Sequence, residues 1–184
     1  TGLALGRLRD DFPAVDPVLR NTGFLSFDIS AVRQSDATGH PAPSPNGLFG
    51  EEACRIAHYA GISNRLKTFG LFEVNPLLDK SGTTCQLAAQ IIWYFLEGMT
   101  CRRNEDPSSD PSAFTKYHVK MDTSGEQLVF YNHVPTDRWW IELAAGKERN
   151  LTIACSKNDY SMAVRQEVPD IWWKFIRKTE RLSK

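Results

Sequence analysis

What this chain has little of narrows what it can do. It carries no charge excess, because 22 Lys plus Arg balance 22 Asp plus Glu. A neutral chain has no global field to gather nucleic acid or an anionic membrane, so neither is expected as a partner. No apolar run reaches membrane-spanning length; the longest, Leu87 to Leu96, is broken by Gln90 and followed by Glu97. The first ten residues lack a signal-peptide layout, and the first is Thr1 rather than Met, which is expected of a fragment or a processed product. The four cysteines (Cys54, Cys85, Cys101 and Cys155) form no CxxC pair, so structural zinc is not expected. Cys54 and Cys85 fall in helical patterns and read as reduced, structural thiols, which favours a cytoplasmic location. No two of the four histidines have the spacing of a zinc-binding helix, and the chain has no internal repeat.

What is present is an ordinary globular composition, 41% hydrophobic and 24% charged over 184 residues. Two textures follow one another. In residues 1–100, helical and strand patterns alternate. A short helical stretch ends at Arg20, and the dense apolar run "GFLSFDIS" (Gly23 to Ser30) suits a central strand of a parallel sheet, buried on both faces. A Gly-, Pro- and Ser-rich loop leads to a helix over Phe49 to Ala60, with Gly61 as its expected C-cap. Leu66 to Val74 is a second strand, stopped by Asn75-Pro76, and Thr83 to Gly98 is the strongest helix, with Gly98 as a stop. Residues 101–112, polar with two prolines, read as a linker. Residues 113–184 read as a separate extension packed on the first domain, with strands at Tyr117–Met121, Gln127–Tyr131 and Arg138–Leu143, then helices to Gln166 and from Pro169 to Arg181.

In an open parallel sheet, ligands bind beyond the carboxyl ends of the strands. Asp28 ends the first strand and Glu73 the second, and strands joined by one crossover are often neighbours. Two converging carboxylates there could hold a divalent metal or a cationic guanidinium. A carboxylate at a strand end also commonly caps a helix or pairs with a basic residue, and residue types alone leave these alternatives open.

The stretch "FLSFDISAVRQSDATGHPAPSPNGL" resembles the arginase-family segment in which a strand ends in Ser-x-Asp-x-Asp before a Thr-Gly-x-Pro loop. "LKTFGLFEVNPLLDKSGTTCQLAAQIIWYFLEG" is similar to that family's next strand and helix, where Glu-x-Asn-Pro precedes an acidic residue and an Ala-rich helix. Together they cover about residues 20–98, in the family's order, and are nearest to its formimidoylglutamase-like branch. The resemblance implies the C-terminal half of a three-layer α/β/α ureohydrolase fold. It implies two Mn²⁺ ions that activate a bridging hydroxide against an amidine or guanidine carbon. It makes Asp28 a metal ligand and Glu73 the glutamate that contacts the small amidine or guanidine substrate.

The departures cut the other way. Ser30 stands where the family has its second strand-end Asp, and a neutral hydroxyl is a poor replacement for an anionic ligand. The family's Gly-Gly-x-Asp and Asp-Ala-His-x-Asp motifs are missing from these residues. Asp36, in the loop, is the candidate substitute ligand, and His40, in the same loop, is a candidate acid, base or substrate contact. Arg33 is expected to neutralise Asp28 or Glu73 in place of a lost metal. Two readings therefore stand together: a hydrolase with an incomplete metal site, and a non-catalytic binding or structural subunit. Half of a parallel sheet leaves an open edge and face, so a partner polypeptide, a homo-oligomer or a longer chain is expected. Adjacent residues on a strand face opposite ways, so one of Trp139 and Trp140 is expected to be partly exposed or covered by a partner.

Overall fold

A computed structural model describes residues 2–122, 125–144 and 150–182, with side chains described as far as residue 177. The chain divides into two compact units, Thr1–Asn104 and Glu105–Lys184.

The first unit is α/β. Its elements are α1 (Leu5–Asp10), α2 (Val15–Arg20), β1 (Phe24–Asp28), α3 (Gly50–Ile62), β2 (Thr68–Phe72) and α4 (Thr83–Thr100). β1 and β2 pair in parallel, with Phe24 opposite Thr68 and Asp28 opposite Phe72, so both strands end at the same edge. Alternation along these strands sends Leu25, Phe27, Phe69 and Leu71 into the helix-side core with Ile29, Val32, Ala53, Ala57, Ala60 and Ile91. Phe69 stacks on Phe95 of α4 at 4.7 Å between ring centroids.

The opposite face of β1 was expected to be buried and is not. Phe24 is 54% exposed and Phe72 47% exposed, because the helices of this unit cover only the other face. α4 is likewise one-sided. It buries Thr84, Leu87, Ala88, Ile91 and Gly98 and leaves Ile92, Trp93, Leu96 and Met99 in solvent.

The two expected helix-ending glycines end nothing. α3 runs past Gly61 to Ile62, and α4 runs past Gly98 to Thr100. Neither glycine adopts a positive φ. Both instead lie where α3 and α4 cross, and the missing Cβ is what lets the helices approach.

The second unit is an antiparallel sheet, order β3-β4-β5-β6, made of β3 (Thr115–Lys120), β4 (Gln127–His133), β5 (Arg138–Ala144) and β6 (Asn150–Cys155), followed by α5 (Lys157–Val164) and α6 (Asp170–Leu182). β6 is a strand that the periodicity did not single out; it pairs with β5 along its whole length. Ser156 starts α5 by accepting the Asp159 N–H, and Asp159 accepts the Ser156 N–H in return at 2.8 Å. Both β5 tryptophans are buried, which corrects the expectation for the pair: Trp139 is 5% and Trp140 7% exposed. They do face opposite ways, but each face has its own cover. Trp139 stacks on Tyr160 of α5 at 4.6 Å, while Trp140 meets Phe114 edge-on at 5.2 Å. Glu105 is buried beside Arg138, whose Nη1 donates to it at 2.8 Å, and ties the start of this unit to β5.

No helix among the described residues is long and apolar enough to cross a membrane.

Candidate functional site at the carboxyl ends of the parallel strands

The parallel register brings Asp28 level with Phe72, so Glu73 follows one residue beyond, at the same sheet edge. Both carboxylates are exposed. Glu73 holds φ at +65°, a left-handed conformation that costs a non-glycine residue about 1 kcal/mol or more. That turn carries the chain sharply away from β2 into the Asn75-Pro76 loop.

Asp28 is partly spoken for. Its Oδ1 accepts the backbone N–H of Ser30 at 2.8 Å and so starts the single helical turn Ile29–Ala31. Hydrogen bonding from the Ser30 side chain and then its backbone holds the Asp28 carboxyl below the ordinary range. Ser30 thus acts through its N–H and hydroxyl on Asp28 rather than standing beside it as a second anion.

His40 is brought to this region and is 2% exposed. Its Nδ1 accepts the Ala42 N–H at 3.3 Å, which assigns the ring hydrogen to Nε2. That Nε2 is buried and has no hydrogen-bond partner among the described residues. The loop carrying His40 is clamped to the connection between β2 and α4. The Gly39 N–H donates to the Thr84 hydroxyl at 2.8 Å, and the Asn75 N–H donates to the Gly39 carbonyl at 2.7 Å. A Cβ on Gly39 would lie 2.6 Å from the Cβ of Asp79, so only glycine fits. Asp79 had no assigned role from the sequence. It is buried, its Oδ2 accepts the Cys85 N–H at 2.8 Å, and it caps α4. That bond from Cys85 chiefly holds the Asp79 carboxyl below its ordinary range. The usable signal was an acidic side chain just upstream of the Ser81–Thr84 helix start.

Asp36 and Arg33 sit together in another role. Asp36 Oδ1 accepts from Arg33 Nε and from the Ser35 hydroxyl, each at 2.9 Å, and its Oδ2 accepts the Gly50 N–H at 2.9 Å. Burial pushes the Asp36 carboxyl up, but the Gly50, Arg33 and Ser35 donors outweigh it and hold it below the ordinary range. Asp36 therefore anchors the start of α3. Arg33 pairs with Asp36 and lies 4.2 Å over the Phe49 ring, not on Asp28 or Glu73 as expected. The reason is local: three residues along a tight turn bring Arg33 and Asp36 within reach at little entropic cost.

Among the described residues, no group of three or more His, Cys, Asp and Glu side chains is placed to hold a metal ion.

Part of this chain is similar to known proteins. Residues 12–97 match the family model described as the arginase family. A curated formimidoylglutamase from Bacillus subtilis (strain 168) is 33% identical over 76 residues, which is 41% of this chain and 24% of that protein. The crystal structure of formimidoylglutamase from Bacillus subtilis superposes with a TM-score of 0.50 at 27% identity, over 54% of this chain and 34% of that one. A Mn²⁺-bound crystal structure of Trypanosoma cruzi formiminoglutamase gives a TM-score of 0.50 at 25% identity, over 54% of this chain and 36% of that one. The chain thus spans 24% of the curated relative and about a third of the solved ones.

Proposed function

We propose, from the match of residues 12–97 to the arginase family, that this chain is part of an amidine- or guanidine-handling α/β domain that does not itself hold the metal pair of a ureohydrolase. The parent chemistry is hydrolysis of a linear amidine or guanidine C–N bond. One observation carries the reading: the two candidate metal-ligand carboxylates, Asp28 and Asp36, already accept hydrogen bonds from the chain itself. Asp28 gives one oxygen to Ser30, and both oxygens of Asp36 are used in anchoring α3. Ser30 supplies a neutral hydroxyl where a second anion is needed. These residues do not fit a site for two Mn²⁺ ions, whose ligands must be anionic or imidazole groups at fixed distances. What remains is suited to recognition. Asp28 and Glu73 are both exposed at the same edge, and a planar guanidinium presents N–H donors for both.

Calorimetric titration of Mn²⁺ into the full chain tests this, together with assays on formiminoglutamate, arginine and agmatine at millimolar Mn²⁺. The expected result is neither a two-ion stoichiometry nor turnover, with guanidinium binding that weakens in Asp28→Asn and Glu73→Gln. Two bound ions per chain with turnover would sink the proposal.

The partner of this chain, in the same reading, is the complementary part of an arginase-type domain. A parallel sheet is stable with both faces covered, and here the face bearing Phe24 and Phe72 is open while the solved relatives are about three times longer than the aligned region. Coexpression with the part of Bacillus subtilis formimidoylglutamase outside the matched segment should protect a Phe24→Cys thiol from alkylation. Equal labelling with and without it would count against this partner.

A further inference from the structure

A cavity in the first unit lies apart from the strand-end carboxylates Asp28 and Glu73. It measures about 520 Å³ and opens among the loop at Arg33–Asp36, the first half of α3 and the middle of α4. That volume is within the range of small-molecule sites. Its floor is apolar: Cys54 is 4% and Leu87 7% exposed, and burial pushes the Cys54 thiol above its ordinary range, so it stays neutral. Phe49 and Tyr94 add ring surface at the walls.

The polar groups of the rim are unequal. Arg33 is held by Asp36 at Nε and lies on the Phe49 ring, which orients its guanidinium while no acceptor among the described residues takes its Nη hydrogens. Arg55 lies 3.9 Å over the Phe12 ring and likewise makes no hydrogen bond among the described residues. Two stacked guanidiniums with unused donors are pre-organised for a planar or tetrahedral anion. Two carboxylates also line the cavity. Asp36 is already compensated by three donors and the nearby Glu52, which feels the Arg33 charge, is paired with Arg9, so of the lining carboxylates only the exposed Glu51 opposes an anion without a donor among the described residues. We infer that this cavity binds a small ring-bearing organic anion, its carboxylate or phosphate on Arg33 and Arg55 and its ring over Leu87 and Tyr94.

The test is calorimetric titration of the full chain with 1-naphthoate, 1-naphthyl phosphate and the uncharged 1-naphthamide. At least one anion should bind saturably and about tenfold more tightly than the amide, and the stronger of the two anions identifies the ligand's acidic group. Arg55→Gln should weaken that binding about fivefold. Gln90→Trp, which fills the cavity from an exposed position on α4, should abolish it. Glu51→Gln removes the opposing charge and should tighten binding, a gain that damage to the fold cannot mimic. The inference is overturned if the amide binds as well as both anions, if no anion binds below millimolar concentration, or if binding survives Gln90→Trp.

Discussion

Gly61 and Gly98 touch where α3 and α4 cross: a Cβ built on Gly61 would stand 2.9 Å from the Gly98 Cα and 2.2 Å from the Phe95 carbonyl oxygen. A Cβ on Gly98 would stand 2.3 Å from the His58 carbonyl oxygen. Every one of these neighbours is backbone, so neither helix can give way locally. The crossing sets how closely α4 lies on α3, and through Phe95 and Phe69 how it lies on β2.

Gly61→Ala and Gly98→Ala should therefore each destabilise the chain by about 1–3 kcal/mol, the usual cost of overpacking. Gly23→Ala is the control, because nothing lies within 4 Å of its added methyl. Urea unfolding checks this; equal midpoints for all three variants would contradict the crossing.

The Asp36 anchor should show in the pH dependence of stability. Its folded-state pKa is depressed, so its contribution is fully present above the unfolded value of about 4 and is lost as pH falls through the folded value. Asp36→Asn should lower the Tm at neutral pH, and the gap to the parent should close as the pH drops below about 4. A gap that is constant down to acid pH would mean that the carboxylate charge contributes nothing.

The clamp on the His40 loop rests on the Thr84 hydroxyl, which accepts the Gly39 N–H in a buried setting. Thr84→Val keeps the shape and leaves that donor unsatisfied, at a cost of about 1–3 kcal/mol. The Gly39 amide should then exchange with solvent faster than in the parent. Unchanged exchange at Gly39 would show that the clamp lies elsewhere.

The tryptophans divide by cover rather than by position in pairs. Trp140→Ala should cost about 3–5 kcal/mol because it empties a packed face against Phe114. Trp93→Ala, at a ring 70% exposed, should cost under about 1 kcal/mol in this chain. Chemical denaturation of the two variants checks the ordering, and a reversed order would refute the burial assignment.

Much of this arrangement was legible in the residues. The apolar run ending in Asp28, the Asn75-Pro76 stop and the 3.6-residue spacing of α3 and α4 report local geometry, and each element formed close to where its pattern lies. The shared edge of Asp28 and Glu73 followed from strand alternation, since one crossover between parallel strands leaves both ends on one side. β6 was harder to see, because "NLTIAC" alternates weakly and its pairing partner, β5, lies outside any local window.

The chain's own residues determined the element types and the match of residues 12–97 to the arginase-family model, because these are properties of composition and order along the backbone. Only the tertiary structure decided the rest. It assigned Arg33 to Asp36, Asp36 to the start of α3, Asp79 to the start of α4, and Gly61 and Gly98 to a helix crossing instead of two helix ends. Each of these turns on which donor, carbonyl or methyl position lies within a few ångströms in space. For Asp36 with Gly50 and Gly61 with Gly98 those distances join residues far apart in the chain and are set by packing, while for Arg33 with Asp36 and Asp79 with Cys85 they are set by the turn that the backbone takes, which spacing alone does not encode.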